Sequence, residues 1–202
     1  EKYLASWTSA PDKGQVNAIN KGFMKASGEI VAWLNCDDFY YPGVFTKIAN
    51  EFKGNPTIGM LYGNATLIDY NGKTFIKQTP NGINLRLLSI DCYIAQPSTF
   101  VRKALLEKIG LLDESLDNCF DYDFWIRIFK KVKTKYLPLL ISGITASISY
   151  DNKTFNRWGE TIKYGSKIQA KHFGSPSYKT YASLAAYQSI KYIPHLNTKG
   201  LS

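Results

Sequence analysis

The chain has 202 residues, 45% of them hydrophobic and 14% aromatic, with a formal net charge of +9. That is enough apolar material for one packed domain with a helical appendage, and no run of about 18 apolar residues offers a bilayer span. The start, Glu1 to Trp7, lacks the basic region and apolar core of a signal peptide, and three widely spaced cysteines, Cys36, Cys92 and Cys119, argue against a disulfide framework or a cysteine zinc site and for a reducing, cytoplasmic setting.

The chain opens not on Met but on what reads as an interior strand, Lys2 to Trp7, which points to a fragment. Pro11 to Gly14 is a loop. Gln15 to Ala26 follows as a helix with Val16, Ile19, Phe23 and Ala26 on one face, ended by Gly28. Ile30 to Leu34 is a continuous apolar run, which predicts a strand over Glu29–Leu34 covered on both faces. It delivers Asp37 and Asp38 to the position where open α/β sheets carry their ligands. Pro42 suits the first turn of a helix that turns Val44, Phe45, Ile48 and Phe52 inward. Ile58 to Tyr62 reads as a strand. Leu67 to Tyr70, Asn71-Gly72 and Lys73 to Ile76 read as a hairpin.

Further on, Ile83 to Leu88 is a short helix, Ser98 to Arg102 a strand, and Lys103 to Ile109 a helix ended by Gly110. Asp121 to Val132 is a firmer helix with Phe124, Ile128, Phe129 and Val132 on one face. Lys135 to Ile141 and Ile144 to Ser149 are two more strands, and Arg157 to Phe173 and Tyr178 to Ile193 are helices. The alternation of strands and helices predicts an α/β sandwich, and the hairpin gives it a mixed sheet. Residues 1–150 form this unit; residues 151–202 form a basic helical extension with eight Lys/Arg against Asp151 and Glu160.

Three polar groups stand out. Asp37-Asp38 offers hard oxygen ligands suited to Mg²⁺ or Mn²⁺, although surface loops often carry paired aspartates. Cys36 beside them reads as a small residue filling a tight turn. Asp121 sits where an N-cap belongs and Asp123 lies in the first turn, so capping accounts for both; as an aspartate beside aromatics, either would also serve as a general base. Asp12, Gln15 and Asn20 surround the first loop and helix, where capping by Asp12 and a solvated face are the ordinary reading.

Taken together these segments resemble a known family. SAPDKGQVNAINKGFMKASGEIVAWLNCDDFYYPG is similar to the nucleotide-sugar segment of family 2 glycosyltransferases, with an acidic-Gly-Gln loop, an A-x-N-x-G helix, then G-E, a hydrophobic run and D-D. QPSTFVRKALLEKIGLLDESL followed by DYDFWIRI is similar to the acceptor half of the same family. The resemblance implies a GT-A-like three-layer α/β/α sandwich with a mixed sheet and C-terminal helices. It also implies transfer of a sugar from a nucleoside-diphosphate donor, a UDP-sugar in the first instance, to an acceptor hydroxyl with inversion. By resemblance Asp37 holds a Mn²⁺ or Mg²⁺ ion on the diphosphate, and Asp12, Gln15, Asn20, Asn35 and Asp38 face the donor. Gln96 and Pro97 belong to the acceptor-side loop. Asp121 matches the aspartate assigned as general base, and Asp123 is the second candidate, since Phe120 stands where an acidic residue usually precedes. Trp125 and Arg127 read as core and ion-pair residues.

Two departures accompany the match. The family's earlier strand–helix–strand unit, with its nucleotide-reading aspartate, has no counterpart before Glu1. The region where many members place a metal-binding His reads SISYDNKT, and His172 and His195 read as surface residues. A non-catalytic sugar- or partner-binding remnant is therefore the alternative to an enzyme of polysaccharide, glycolipid or other cell-surface glycan assembly. The tail, with Tyr178, Tyr181, Leu184, Ala185 and Ile190 among lysines, suits packing on the core, a homo-oligomer contact, or an anionic membrane surface carrying a lipid-linked acceptor. No nucleic-acid motif accompanies the basic residues.

Overall fold

In the computed structural model, residues 4–68, 72–77, 79–145 and 152–191 are described. Helix α1 (Gln15–Lys25) precedes two short strands, β1 (Ile30–Val31) and β2 (Phe39–Tyr40). Helix α2 (Val44–Gly54) leads into β3 (Ile58–Ile68) and β4 (Thr74–Lys77). Then come α3 (Leu85–Leu88), β5 (Thr99–Arg102), α4 (Leu106–Ile109) and α5 (Phe120–Phe129). The long strand β6 (Lys133–Thr145) and helices α6 (Asn152–Phe173) and α7 (Tyr178–Lys191) complete the described chain. No helix among the described residues is long and apolar enough to cross a membrane.

The sheet runs β1-β5-β3-β6-β2, with β4 also on β3. Only β3 and β6 are parallel; β1 with β5, β5 with β3, β3 with β4 and β2 with β6 are antiparallel. Strand β3 is the axis of the domain. Its first half pairs β5 and its second half pairs β4 along one edge, while β6 follows the other edge from Ile58 to Ile68. The period-2 alternation of a strand divides the core. Met60, Tyr62 and Val101 face α1, α5 and α6, where Val16, Phe23, Trp125 and Ile168 are buried. Leu61 and Phe100 face Val44, Ile48 and Phe52 of α2. The result is a three-layer α/β/α sandwich with a mixed sheet.

Several elements depart from the sequence expectation. Residues Leu4 to Trp7 form no strand: they have no ladder partner among the described residues, and Leu4 and Trp7 are 60% and 67% exposed. The apolar run Ile30–Leu34 is not a doubly covered strand either. Only Ile30 and Val31 pair, antiparallel to β5 and with one neighbour, and Leu34 is 40% exposed. An apolar run records capacity for burial; the number of neighbouring strands decides how much is realised. Phe45 stands 61% exposed, held edge-on to Tyr40 and Phe100 instead of facing inward.

The two strands expected after Lys135 are one. Gly143, between the two expected strands, lies within β6 opposite Phe39, where an added Cβ would sit 2.2 Å from the Phe39 ring. Helix α1 ends at an extended Ala26, so Gly28 makes no left-handed cap, and Asp12 does not cap it, since Gly14 is its N-cap. The N-cap of α5 is Cys119, in the left-handed region at φ 58°, and Asp121 lies one position inside the helix. The hairpin forms, with Ile68 opposite Thr74, while its turn residues 69–71 lie outside the described residues, as do 146–151 and His195.

At Gly63 the backbones of β3 and β6 crowd together. A Cβ there would lie 2.7 Å from Ile141 Cδ1 and 2.9 and 3.0 Å from the carbonyls of Leu137 and Leu139. Backbone atoms of β6 cannot withdraw without breaking the parallel ladder. Gly63→Ala is therefore expected to destabilise the fold by about 1–3 kcal/mol, read as a lower urea midpoint with an unchanged slope. An unshifted midpoint would show that β6 yields at this point.

Candidate functional site

The loop from Trp33 to Asp38 leaves the edge strand β1 and returns into β2. A strand of two residues cannot hold such a loop, so side chains do. The Trp33 indole stacks on Trp125 of α5 with centroids 5.5 Å apart and planes 19° from parallel. Phe23 of α1 meets it edge-on at 5.6 Å. Such aromatic pairs contribute about 0.5–1.5 kcal/mol each beyond their area. The Trp33 carbonyl accepts a 2.8 Å hydrogen bond from Gln96 Nε2.

From there a polar chain runs through the loop. Asn35 Nδ2 donates to Asp38 Oδ2 at 3.0 Å and to Gln96 Oε1 at 3.4 Å, while Asn35 Oδ1 accepts from Gln15 Nε2 at 3.1 Å. Four of the sequence-predicted residues, Gln15, Asn35, Asp38 and Gln96, are thus hydrogen-bonded together. Asn35 is hydrogen-bonded at both ends of its amide and braces Asp38. Pro97 is buried at the start of the short helical turn Gln96–Ser98 and sets the course of the chain there. Asp12 is exposed and accepts from Gly14 N at 2.9 Å, bracing the loop ahead of α1.

Asp37 is exposed in the turn with Cys36, and its carbonyl is held by Thr145 Oγ1 at 2.8 Å. Thr145 ends β6, and no local pattern links it to Asp37 108 positions away. Burial pushes the Asp38 carboxyl above the ordinary carboxylate value, the hydrogen bond from Asn35 draws it back, and the Asp37 charge adds to the rise. Burial and the Asp38 charge push Tyr40 up to about 12. Among the described residues neither Asp37 nor Asp38 has an ion-pair partner. Two adjacent carboxylates with uncompensated charge fit a hard divalent cation. No cluster of three or more His, Cys, Asp or Glu forms a metal cage among the described residues. Asp37 and Asp38 would supply one or two oxygens beside those of phosphate and water, a mixture that Mg²⁺ favours.

Asn20 does not belong to this site. It is 2% exposed, with its amide donating to the Leu112 carbonyl and Glu114 and its oxygen accepting from Leu112 N, each at 3.0 Å. It joins α1 to the segment before α5.

The two aspartates of α5 separate clearly. Asp121 is half-buried in the first turn, with Oδ1 accepting from Tyr122 N at 2.9 Å, where the helix dipole favours a carboxylate. Asp123 is fully enclosed and meets Arg127 Nε at 2.8 Å, Lys171 Nζ at 3.0 Å and His172 Nε2 at 2.8 Å. Burial alone would raise its pKa, but hydrogen bonds from His172 and Lys171 and the Arg127 charge outweigh it and hold the carboxyl below the ordinary value. Lys130 Nζ faces His172 Nδ1 at 3.3 Å; an ammonium only donates, so Nδ1 accepts and Nε2 carries the proton toward Asp123. His172 is therefore not a surface residue: its side chain is 8% exposed and locks α6 to α5. Trp125 is fully buried and Arg127 is an ion-pair residue.

A mixed α/β sandwich that suspends two adjacent aspartates beyond an edge strand, beside an amide network and an acidic helix start, has the GT-A architecture of nucleotide-sugar transferases. The chain belongs to glycosyl transferase family 2, whose family model matches residues 9–110, half of the chain. It is 25% identical over 190 residues to the uncharacterized glycosyltransferase YwdF of Bacillus subtilis (strain 168), covering 89% of this chain and 69% of that protein. The fold is similar to that of S. aureus TarS 1-349 in complex with UDP-GlcNAc, at TM-score 0.57 and 15% identity, over 91% of this chain and 54% of that one. It is also similar to the mannosyltransferase PcManGT of Pyrobaculum calidifontis in complex with GDP-Man and Mn²⁺, at TM-score 0.53 and 12% identity, over 91% of this chain and 50% of that one. The chain thus spans about half the length of these two structures.

The Asp123 cluster makes an acid-side prediction. A carboxyl held low in the fold stabilises it above the unfolded pKa of about 4, and that contribution is lost as pH falls through the folded value. Asp113, brought down to about 2 by hydrogen bonds from Ser115 and Lys171, acts in the same window. Urea unfolding is expected to show stability falling below about pH 4. Asp123→Asn leaves Arg127 without a carboxylate while Lys171 keeps Asp113, and at neutral pH is expected to cost about 3–5 kcal/mol and to flatten that acid slope. An unchanged slope would exclude Asp123 as its source.

Proposed function

We propose that this chain carries the donor site and the acceptor-activating residue of a glycosyltransferase that moves a sugar from a nucleoside-diphosphate sugar, first of all a UDP-sugar, to an acceptor hydroxyl in polysaccharide, glycolipid or other cell-surface glycan assembly. The observation that carries the proposal is the convergence of Gln15, Asn35, Asp38 and Gln96 into one hydrogen-bonded network beside Asp37. Membership of glycosyl transferase family 2 supports it, as do similar structures in complex with UDP-GlcNAc and with GDP-Man and Mn²⁺.

In this reading Asp37, steadied through its carbonyl by Thr145, and Asp38, oriented by Asn35, hold the divalent ion. Bound there, Mg²⁺ or Mn²⁺ supplies positive charge to the diphosphate as it leaves. The acceptor oxygen attacks the anomeric carbon from the face opposite the diphosphate. The bond from that carbon to the diphosphate oxygen breaks, its electron pair stays on the nucleoside diphosphate, and Asp121 takes the acceptor proton. One displacement inverts the anomeric centre. The engagement of Asp123 by Arg127, Lys171 and His172 favours Asp121 over it as the base.

Lys163 and Lys167 of α6, with Tyr178 and Tyr181 of α7, are exposed. This basic, aromatic surface suits contact with an anionic bilayer, and so a peripheral position at the inner face of a membrane.

Calorimetric titration with UDP, GDP and dTDP, each with and without Mn²⁺, tests the donor site. Mn²⁺-dependent binding of one nucleotide is expected, weakened at least about tenfold in Asp37→Asn. Asp121→Asn is expected to bind that nucleotide normally while transfer falls roughly 10²–10⁴-fold. Failure of all three nucleotides would favour a non-catalytic remnant, and native transfer by Asp121→Asn would remove it as the base.

A further inference from the structure

The Trp33 stack fixes where the loop of Asp37 and Asp38 begins. Inside the loop, Asp38 N donates to the Asn35 carbonyl at 3.2 Å, which makes a turn centred on Cys36 and Asp37. That turn fixes the carboxylates relative to Asn35 but not relative to the sheet. We infer that three hydroxyls, those of Thr145, Ser142 and Ser98, are the positioning groups that supply the second constraint: they tie the loop to the end of β6, and β6 to the turn at Gln96–Ser98. The inference rests on the reading of this loop as the donor site.

Two segments hold the loop from outside. The turn Gln96–Ser98 holds its start, through Gln96 Nε2 on the Trp33 carbonyl. Strand β6 holds its end. Ser142 and Gly143 pair Tyr40 and Phe39, the Ile141 carbonyl accepts from Tyr41 N at 3.0 Å, and Thr145 Oγ1 donates to the Asp37 carbonyl at 2.8 Å. The Thr145 contact lands on the backbone of Asp37. It constrains that residue while leaving both of its carboxylate oxygens to a cation.

Ser98 and Ser142 fasten the two segments to each other. Both are fully buried, and their Oγ atoms lie 2.7 Å apart although the residues are 44 positions apart in sequence. Ser98 Oγ also donates to the Asn64 carbonyl at 2.9 Å. A hydroxyl has one proton, so Ser98 gives its proton to Asn64 and Ser142 donates to Ser98. Asn64 lies where the pairing of β3 with β6 shifts register, and its side-chain oxygen is held by Thr79 N at 2.9 Å and Tyr136 Oη at 3.0 Å. The relay therefore ends on a fixed point of the central strand.

Residue choice argues the same way. Apolar side chains would fill two buried positions without a polar group to satisfy, and a matched apolar pair is nearly neutral for stability. Apolar contact is non-directional, whereas a hydrogen bond prescribes distance and angle. A hydroxyl pair here sets the register of β6 against the Gln96 turn. Thr145, further along the same strand, passes that register to Asp37.

The test uses the whole chain and an isosteric change. Thr145→Val keeps the shape and removes the hydroxyl; Thr145→Ser returns it. Without nucleotide or metal, hydrogen–deuterium exchange at the amides of Asp38 to Tyr41 is expected to rise roughly fivefold in Thr145→Val, the equivalent of one lost hydrogen bond. It is expected to stay native in Thr145→Ser, with the urea midpoint unchanged in both. The Mn²⁺-dependent affinity for the nucleotide that the native chain binds is expected to fall by a similar factor in Thr145→Val and to return in Thr145→Ser. Ser142→Ala, which leaves Ser98 on Asn64, is expected to act in the same direction in both assays, and native behaviour there overturns the part assigned to the serine pair. Native exchange in Thr145→Val, equal exchange in the two Thr145 variants, or faster exchange with native nucleotide affinity overturns the inference. If UDP, GDP and dTDP all fail on the native chain, the donor reading is what fails, and the exchange comparison still decides whether these hydroxyls position the loop.

Discussion

The indole of Trp33 lying flat on Trp125 is the contact on which the arrangement of the site depends. The loop that carries Asp37 and Asp38 starts from a strand of two residues at the margin of the sheet, with a single neighbour. Ladder hydrogen bonds are too few there to define a position. The aromatic stack substitutes for them, and it has a consequence that a ladder would not. Trp125 belongs to α5, so the donor loop and the helix that presents Asp121 are packed as one body. The separation of the Asp37-Asp38 loop from Asp121 is thereby set by ring contacts in the core rather than by loop conformation.

The second tie is electrostatic. Asp123, four residues before Arg127 on the same helix, also binds Lys171 and His172 from the end of α6. A buried carboxylate with one partner would be a liability; with three donors it becomes a joint. It fastens the end of α6 against the acidic start of α5. Residues that look like a solvated basic tail are thus tied into the domain. The same joint explains why two aspartates two positions apart take unrelated roles: one is closed off by cations, the other lies half-buried at a helix start.

Much of this was readable in the chain because it is local. The helical periodicity of Val16, Ile19 and Phe23, the adjacency of Asp37 and Asp38, and the aromatic helix from Phe120 to Phe129 are written within short windows. Their chemistry, hard oxygen ligands and a carboxylate at a helix start, follows from residue type. The family resemblance carried by the same windows fell on residues 9–110 and beyond. Errors arose wherever a property belongs to a pair of distant segments. The Ile30–Leu34 run was read as a strand covered on both faces because apolar composition does not record neighbours. Strand β6 was read as two strands because what accommodates Gly143, the Phe39 ring across the sheet, is elsewhere in the chain. Asn20 looked like a donor contact until Leu112 and Glu114 were found to occupy its amide.

What the sequence determined by itself is therefore the inventory: which helices form, which carboxylates stand side by side, and which family the domain belongs to. These rest on spacing and residue chemistry over a turn or a strand. Only the tertiary structure decided which side chains each carboxylate meets. His172 and Lys171 reach Asp123 from 49 and 48 positions away, and Thr145 reaches Asp37 from 108. A carboxylate's function depends on what neutralises it and what water can reach it, and both are settled by packing between segments that no window along the chain contains.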